Sequence, residues 1–152
     1  MKKRYFERTY AETSLLGFGC MRFPVKEDGS IDEELTFKML DEAYNRGVNY
    51  YDTAYPYHGG ESERVVGKWL QTKDRDSLYV VSKMPIWKLE TPEDFDRILN
   101  EQLEKLQTDH LDFYLMHAMN KGHWDKMLQV GCVERLEQLK AEGKIKYLGF
   151  SF

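Results

Sequence analysis

Four residues of this chain carry the side chains of a proton-handling site: Asp52, Tyr57, Lys83 and His117. A free phenol holds its proton to about pH 10, too high for ready exchange at neutrality. An ammonium beside it favours the phenolate. A carboxylate next to the ammonium keeps the lysine charged and oriented, and an imidazole at the same mouth can hydrogen-bond a carbonyl or hydroxyl oxygen. Such a set suits general acid–base work at a C=O or CH–OH centre. None of the four is a good nucleophile and none carries a hydride, so a redox reaction there needs a borrowed cofactor. Each also has a plainer use: Asp52 as a turn acid, Tyr57 as a packing aromatic, Lys83 as a strand-end lysine with its head in water, His117 as a half-buried histidine. Their joint placement favours the chemical reading.

That placement comes from short apolar runs. Residues 48–51 stop at Asp52, 78–82 at Lys83, 111–116 at His117 and 147–150 at Ser151, while residues 15–19 (LLGFG) stop at Cys20 and Met21. Positions 20, 52, 83, 117 and 151 lie 31 to 34 residues apart, and a strand with its crossover helix takes roughly 30 residues or more. The pattern predicts an α/β chain of the parallel (β/α) TIM-type barrel class, whose strand C-termini open on one face.

Helical signals fill the intervals. Ser30 and Glu33 have capping-box spacing, followed by an apolar stripe of Leu35, Met39, Leu40, Ala43 and Tyr44, with Gly47 as the stop. Residues 61–71 bury Val65, Val66, Trp69 and Leu70, with Glu61 and Glu63 as first-turn acids suited to the helix dipole. Thr91 then Pro92 marks a helix start, with Phe95, Ile98, Leu99, Leu103 and Leu106 inward. Residues 120–124 read as a loop, 126–130 as a short helix, 132–142 as a long one and 146–150 as the last strand. Residues 2–10 read as a hairpin strand capping the barrel from below. A whole barrel needs about eight strands and typically ~250 residues. The expectation is therefore one domain over 1–152: the N-terminal five βα units of an incomplete barrel, the last three units absent. Its open sheet edges invite self-association.

The chain has 152 residues, 41% hydrophobic and 32% charged, with a net charge of −4. This is a globular composition without the basic excess that nucleic acid demands, and no stretch is long enough to span a bilayer. Two cysteines, Cys20 and Cys132, make no disulfide framework, and with His58, His110 and His123 they show no metal spacing. Those three histidines read as surface or loop residues, and Glu101, Glu104, Glu134 and Glu137 as solvated helix faces. No apolar signal segment follows the basic N-terminus, and a cytoplasmic location is expected.

Five segments in series, LGFGCMR (16–22), YYDTAYPYHGGESE (50–63), VVSKMP (80–85), LDFYLMHAM (111–119) and GKIKYLGFSF (143–152), resemble the aldo-keto reductases. The resemblance implies a (β/α)8 barrel that reduces a small carbonyl substrate with NADPH, without a Rossmann domain or metal. It implies that Tyr57 donates the proton, Lys83 lowers the Tyr57 pKa, Asp52 pairs with Lys83 and His117 orients the substrate. Ser151 matches a position that binds the nicotinamide carboxamide, and Gly19, Cys20, Met21 and Asp52 belong to the cofactor side. Many members read Ser-Asn where this chain has Ser151-Phe152. The GFSF form resembles a microbial subgroup with an added iron–sulfur region, so any such cluster would belong to a further C-terminal region. The family's nicotinamide-stacking residue and adenosine-phosphate site lie in its C-terminal half. The competing expectation is a non-catalytic binding or assembly module, as some relatives are auxiliary subunits of membrane channels.

Overall fold

A computed structural model describes residues 1–7 and 9–152. Among the described residues, five parallel strands form one sheet in chain order: β3 (Phe18–Gly19), β4 (Tyr50–Asp52), β5 (Tyr79–Met84), β6 (Leu111–Met116) and β7 (Ile145–Phe150). Between them run α1 (Glu33–Asn45), α2 (Ser62–Leu70), α3 (Pro92–Leu106), then α4 (Lys121–Val130) and α5 (Cys132–Ala141). A hairpin of β1 (Lys3–Phe6) and β2 (Ala11–Ser14) precedes them. The Glu12 amide donates to the Tyr79 hydroxyl and the Asn49 side chain donates to the Glu12 carbonyl, which seats the hairpin against the N-terminal ends of β4 and β5. The architecture is the expected partial α/β barrel.

Strand alternation divides the sheet into two faces. Tyr51, Val80 and Tyr114 point to the helices and are fully buried, with Met116 nearly so. On the concave face Tyr50, Phe113 and Tyr147 lie in sequence, with ring centroids 5.4 and 4.9 Å apart. Helix α2 seats Val65, Val66, Trp69 and Leu70, and α3 seats Phe95, Ile98, Leu99, Leu103 and Leu106, as their periodicity predicts. The two helices touch at Gly67, where a Cβ would stand 2.2 Å from the Lys105 carbonyl oxygen. Only glycine permits that approach.

Four boundaries differ from the expectations. The N-cap of α1 is Asp32, whose Oδ1 accepts from the Leu35 amide at 3.0 Å. Ser30 is consumed instead by Asp28, which takes both its amide and its hydroxyl. The α1 stripe is rotated: Thr36 and Leu40 are buried while Leu35 and Met39 are exposed. Met39 lines an open apolar groove of about 550 Å³ together with Leu16, Phe18, Ala43 and Val48, on the side where no further βα unit abuts β3 among the described residues. The first barrel strand shrinks to Phe18–Gly19, since Leu15 donates to the Lys2 carbonyl and Ser14 and Asn49 exchange hydrogen bonds that keep this segment with the hairpin. Residues 121–124 are helical rather than a loop: the Asn120 side chain accepts from the His123 amide and starts α4 at Lys121.

Candidate active site

Asp52 closes β4, Lys83 lies near the end of β5 and His117 follows β6. The register pairs Asp52 with Val81 and Lys83 with Leu115, which puts Asp52 and Lys83 on the concave face at one rim. Tyr57 arrives by a 3₁₀ turn, Tyr57–Gly60, whose first amide donates to the Ala54 carbonyl at 3.1 Å. His58 inside that turn holds a left-handed conformation, φ 52°. Its Nε2 accepts from the Phe23 amide at 2.9 Å and its ring stacks on Phe23 at 5.6 Å. His58 is thus a pin for the tyrosine turn rather than a loose loop residue.

The Lys83 side chain is 6% exposed. A buried ammonium needs partners for its protons, and three oxygens supply them: Asp52 Oδ1 at 2.5 Å, the Thr53 carbonyl at 2.8 Å and Tyr57 Oη at 3.2 Å. The ammonium also lies 4.8 Å from the Tyr57 ring centroid. Because Tyr57 Oη accepts from Lys83, its own hydrogen is directed away from the lysine. His117 meets the Tyr57 ring edge-on at 6.1 Å, and its backbone amide donates to Met84. Burial, then the neighbouring Lys83 charge, holds the imidazole below the usual histidine range. That environment favours the neutral ring, and its Nδ1 is buried and unpartnered. Trp87, 42% exposed, tilts over His117 at 5.3 Å and over His123 at 6.3 Å.

The residues expected on the cofactor side fall into two groups. Gly19 is exposed, with nothing within 4 Å of where a Cβ would be, and the Met21 side chain is also exposed. Ser151 sits past β7; its Oγ accepts from the Ala118 amide at 3.1 Å, leaving its hydroxyl hydrogen free to donate. Cys20 differs. It is fully buried, burial pushes its thiol far up, its amide donates to Asp52 and its carbonyl accepts from Ser62. It shapes the loop from inside.

Sequence reasoning missed a polar layer under this rim. Glu63, read as a dipole-side acid, is fully buried, and so are Ser62, Ser82 and Gln102. Glu101, read as solvated, accepts from the Tyr55 hydroxyl at 3.1 Å and from Lys105 at 2.6 Å. Gln102 and Lys105 carried a readable signal: they follow Ile98 by four and seven residues, on the buried face of α3. His110 is also largely covered, its Nδ1 2.6 Å from Asp109.

The sequence profile described as the Aldo/keto reductase family matches residues 15–152. The chain belongs to that family. A solved aldo-keto reductase of Bacillus halodurans, in its holo form, superposes with a TM-score of 0.82 at 31% identity, over 99% of this chain and 50% of that one. An aldo-keto reductase of Klebsiella pneumoniae in complex with NADPH gives 0.80 at 31% identity, over 100% and 50%. Among curated relatives, an oxidoreductase of Bacillus subtilis is 30% identical over 99% of this chain and 49% of its own length. A norsolorinic acid reductase of Aspergillus flavus is 34% identical over 81% of this chain and 34% of its own length. The chain spans half or less of the length of these relatives. No helix among the described residues is long and apolar enough to cross a membrane.

Proposed function

We propose that this chain is the proton-transfer part of a reductase that converts aldehydes or ketones to alcohols with NADPH, and that it supplies five of the eight βα units of that enzyme's barrel. The observation that carries the reading is the Lys83 ammonium bonded at once to Asp52 and to Tyr57 Oη. A carbonyl oxygen entering the rim meets the outward phenol hydrogen of Tyr57 and the neutral ring of His117, which donates a second hydrogen bond. NADPH, when bound, supplies the hydride to the carbonyl carbon. As negative charge grows on the oxygen, Tyr57 gives up its proton, and Lys83 stabilises the phenolate that remains. Asp52 keeps the lysine charged and aimed.

The residues present fit one end of that cofactor. The open space at Gly19, the exposed Met21 and the free donor of Ser151 suit an amide-bearing ring at the rim; Asp52 borders it, and Cys20 contributes from beneath. A solved relative bound to NADPH supports the same assignment. Two buried free thiols suit a reducing cytoplasm.

Tyr57→Phe in the full-length protein tests the proposal: carbonyl reduction is expected to fall by about 10²-fold or more. Retained activity refutes the proton-donor role. A second reading, an assembly module without catalysis, draws on Phe150, which is 61% exposed on the strand at the edge of the sheet among the described residues. Titrating NADPH while following Trp87 and Trp124, both exposed, separates the two. Quenching supports the reductase; absence of quenching together with a concentration-dependent dimer supports the module.

A further inference from the structure

We propose that Ser62 and Glu63, the first two residues of α2, form a buried clamp that positions Asp52 and Lys83 for proton transfer at Tyr57. The inference rests on the proton-donor role proposed for Tyr57.

The pair reaches both strand ends at once. Ser62 Oγ donates to the Cys20 carbonyl at 2.9 Å and receives the Thr53 hydroxyl at 2.8 Å. Cys20 in turn donates to the Asp52 carbonyl, and the Thr53 carbonyl is one of the three acceptors of the Lys83 ammonium. Ser62 therefore fixes the β3–β4 side of the rim. Glu63 fixes the β5 side. Its Oε1 accepts from the Ser82 hydroxyl and from Gln102 Nε2, each at 2.6 Å, and that amide nitrogen stands 3.2 Å from the Lys83 carbonyl oxygen. The Tyr114 hydroxyl donates to Gln102 Oε1 at 2.6 Å and so sets which way the amide faces. Thr53, Ser62, Glu63, Ser82, Gln102 and Tyr114 are all fully buried.

A stability role alone accounts poorly for this layer. Burying a carboxyl is costly, and well-packed apolar residues of similar volume often serve the fold as well or better. Burial pushes the Glu63 carboxyl up, and its Oε2 has no hydrogen bond; the nearest ammonium, Lys105, is 3.8 Å away. The layer instead delivers directional contacts to the backbone on either side of the Lys83–Tyr57 contact. Small displacements at such a contact are costly, since a misplacement of about 1 Å can cost a hundredfold in rate.

The test uses carbonyl reduction by the full-length protein. Glu63→Ala and Gln102→Ala are each expected to lower kcat about tenfold, leave KM for NADPH and carbonyl within about twofold, and enlarge the solvent deuterium isotope effect as proton transfer slows. Glu63→Gln keeps the Oε1 acceptor and is expected to restore most of kcat. Asp112→Ala, at the opposite end of the strands, serves as the control for general destabilisation. The clamp is overturned if a folded Glu63→Ala retains wild-type kcat, if Glu63→Gln fails to restore it, or if Asp112→Ala lowers kcat as much. Should Glu63→Ala not fold, Gln102→Ala decides alone, and Ser82→Ala decides if neither truncation folds. Tyr57→Phe run alongside keeps two failures apart. An active Tyr57→Phe overturns the proton-donor reading itself, whereas an inactive Tyr57→Phe with unchanged Glu63→Ala and Gln102→Ala overturns the clamp only.

Discussion

At the N-terminal end of β6, the Asp112 carboxylate is 1% exposed and accepts from Arg75 at 2.8 Å, Lys146 at 2.9 Å and the Val80 amide at 2.9 Å. At the C-terminal end of β5, Lys83 is nearly as buried and likewise has three partners. The two clusters look alike as inventories of buried charge. They differ in what is left over. Every hydrogen-bond partner of Asp112 is a donor aimed at its carboxylate, so its charge is spent on joining β5, β6 and β7 to the turn before β5. One partner of Lys83 is a phenol, which accepts from the lysine and still has a hydrogen to give away. Beside it stand Asp52, its side chain about a quarter exposed, and His117, whose surroundings disfavour the imidazolium. A buried ion with saturated partners holds strands together; a buried ion with a donor facing out can do chemistry.

The sharpest way to break this contrast is to remove the ammonium. Lys83→Met in the full-length protein is expected to cut carbonyl reduction by about 10²- to 10⁴-fold, with only a modest loss of thermal stability: Asp52 and the Thr53 carbonyl lose a partner, but the Asp52 side chain is 27% exposed and water can take the place of the lysine. Steady-state kinetics beside a melting curve check both halves. If activity survives, the rim cluster is as structural as the Asp112 cluster.

The opposite excision should give the opposite profile. Asp112→Ala strands two cations and an amide, and breaking a buried pair costs about 3–5 kcal/mol. Arg75 and Lys146 keep part of their side chains in water, which brings the expected loss to about 2–4 kcal/mol. Denaturant unfolding measures it. The turnover of the molecules still folded is expected to stay at the wild-type value, and a drop there would join the two ends into one machine.

The contrast also explains what the sequence disclosed. Asp52, Lys83 and His117 end apolar runs at a regular interval, so both the barrel and its rim were legible from spacing and residue type. Tyr57 was legible because a Pro- and Gly-rich turn follows the Asp52 strand. The N-cap of α1 was misread because Ser30 and Asp32 are both good caps, and the choice fell to a side-chain contact from Asp28. Glu63 was misread for a deeper reason. A first-turn acid on a solvent-facing helix and one buried beneath a strand end have the same local sequence, and only the crossing of α2 and α3 at Gly67 decides between them. Gln102 and Lys105 are the polar members of the buried face of α3, and polar residues on such a face signal a buried network.

The mildest prediction concerns His117, where the sign of the charge effects separates the rim from a plain ion-pair cluster. Burial and then the Lys83 charge disfavour the imidazolium, outweighing the opposing pull of Asp52. The ring is expected to titrate below the usual value of about 6.5, readable from its Hε1 proton by NMR. In Lys83→Met the opposing positive charge is gone and Asp52 remains, so the midpoint is expected to move up. For folding, the sign runs toward acid sensitivity: the unfolded ring binds its proton at a higher pH than the folded one. Stability from this residue is therefore intact above the unfolded value and declines as pH falls from there to the folded midpoint. A midpoint above that of a free imidazole, or one that drops when Lys83 is removed, would mean that His117 is held by Asp52 as a cation. The rim would then be a second saturated ion cluster, and the asymmetry between the two ends of the strands would be lost.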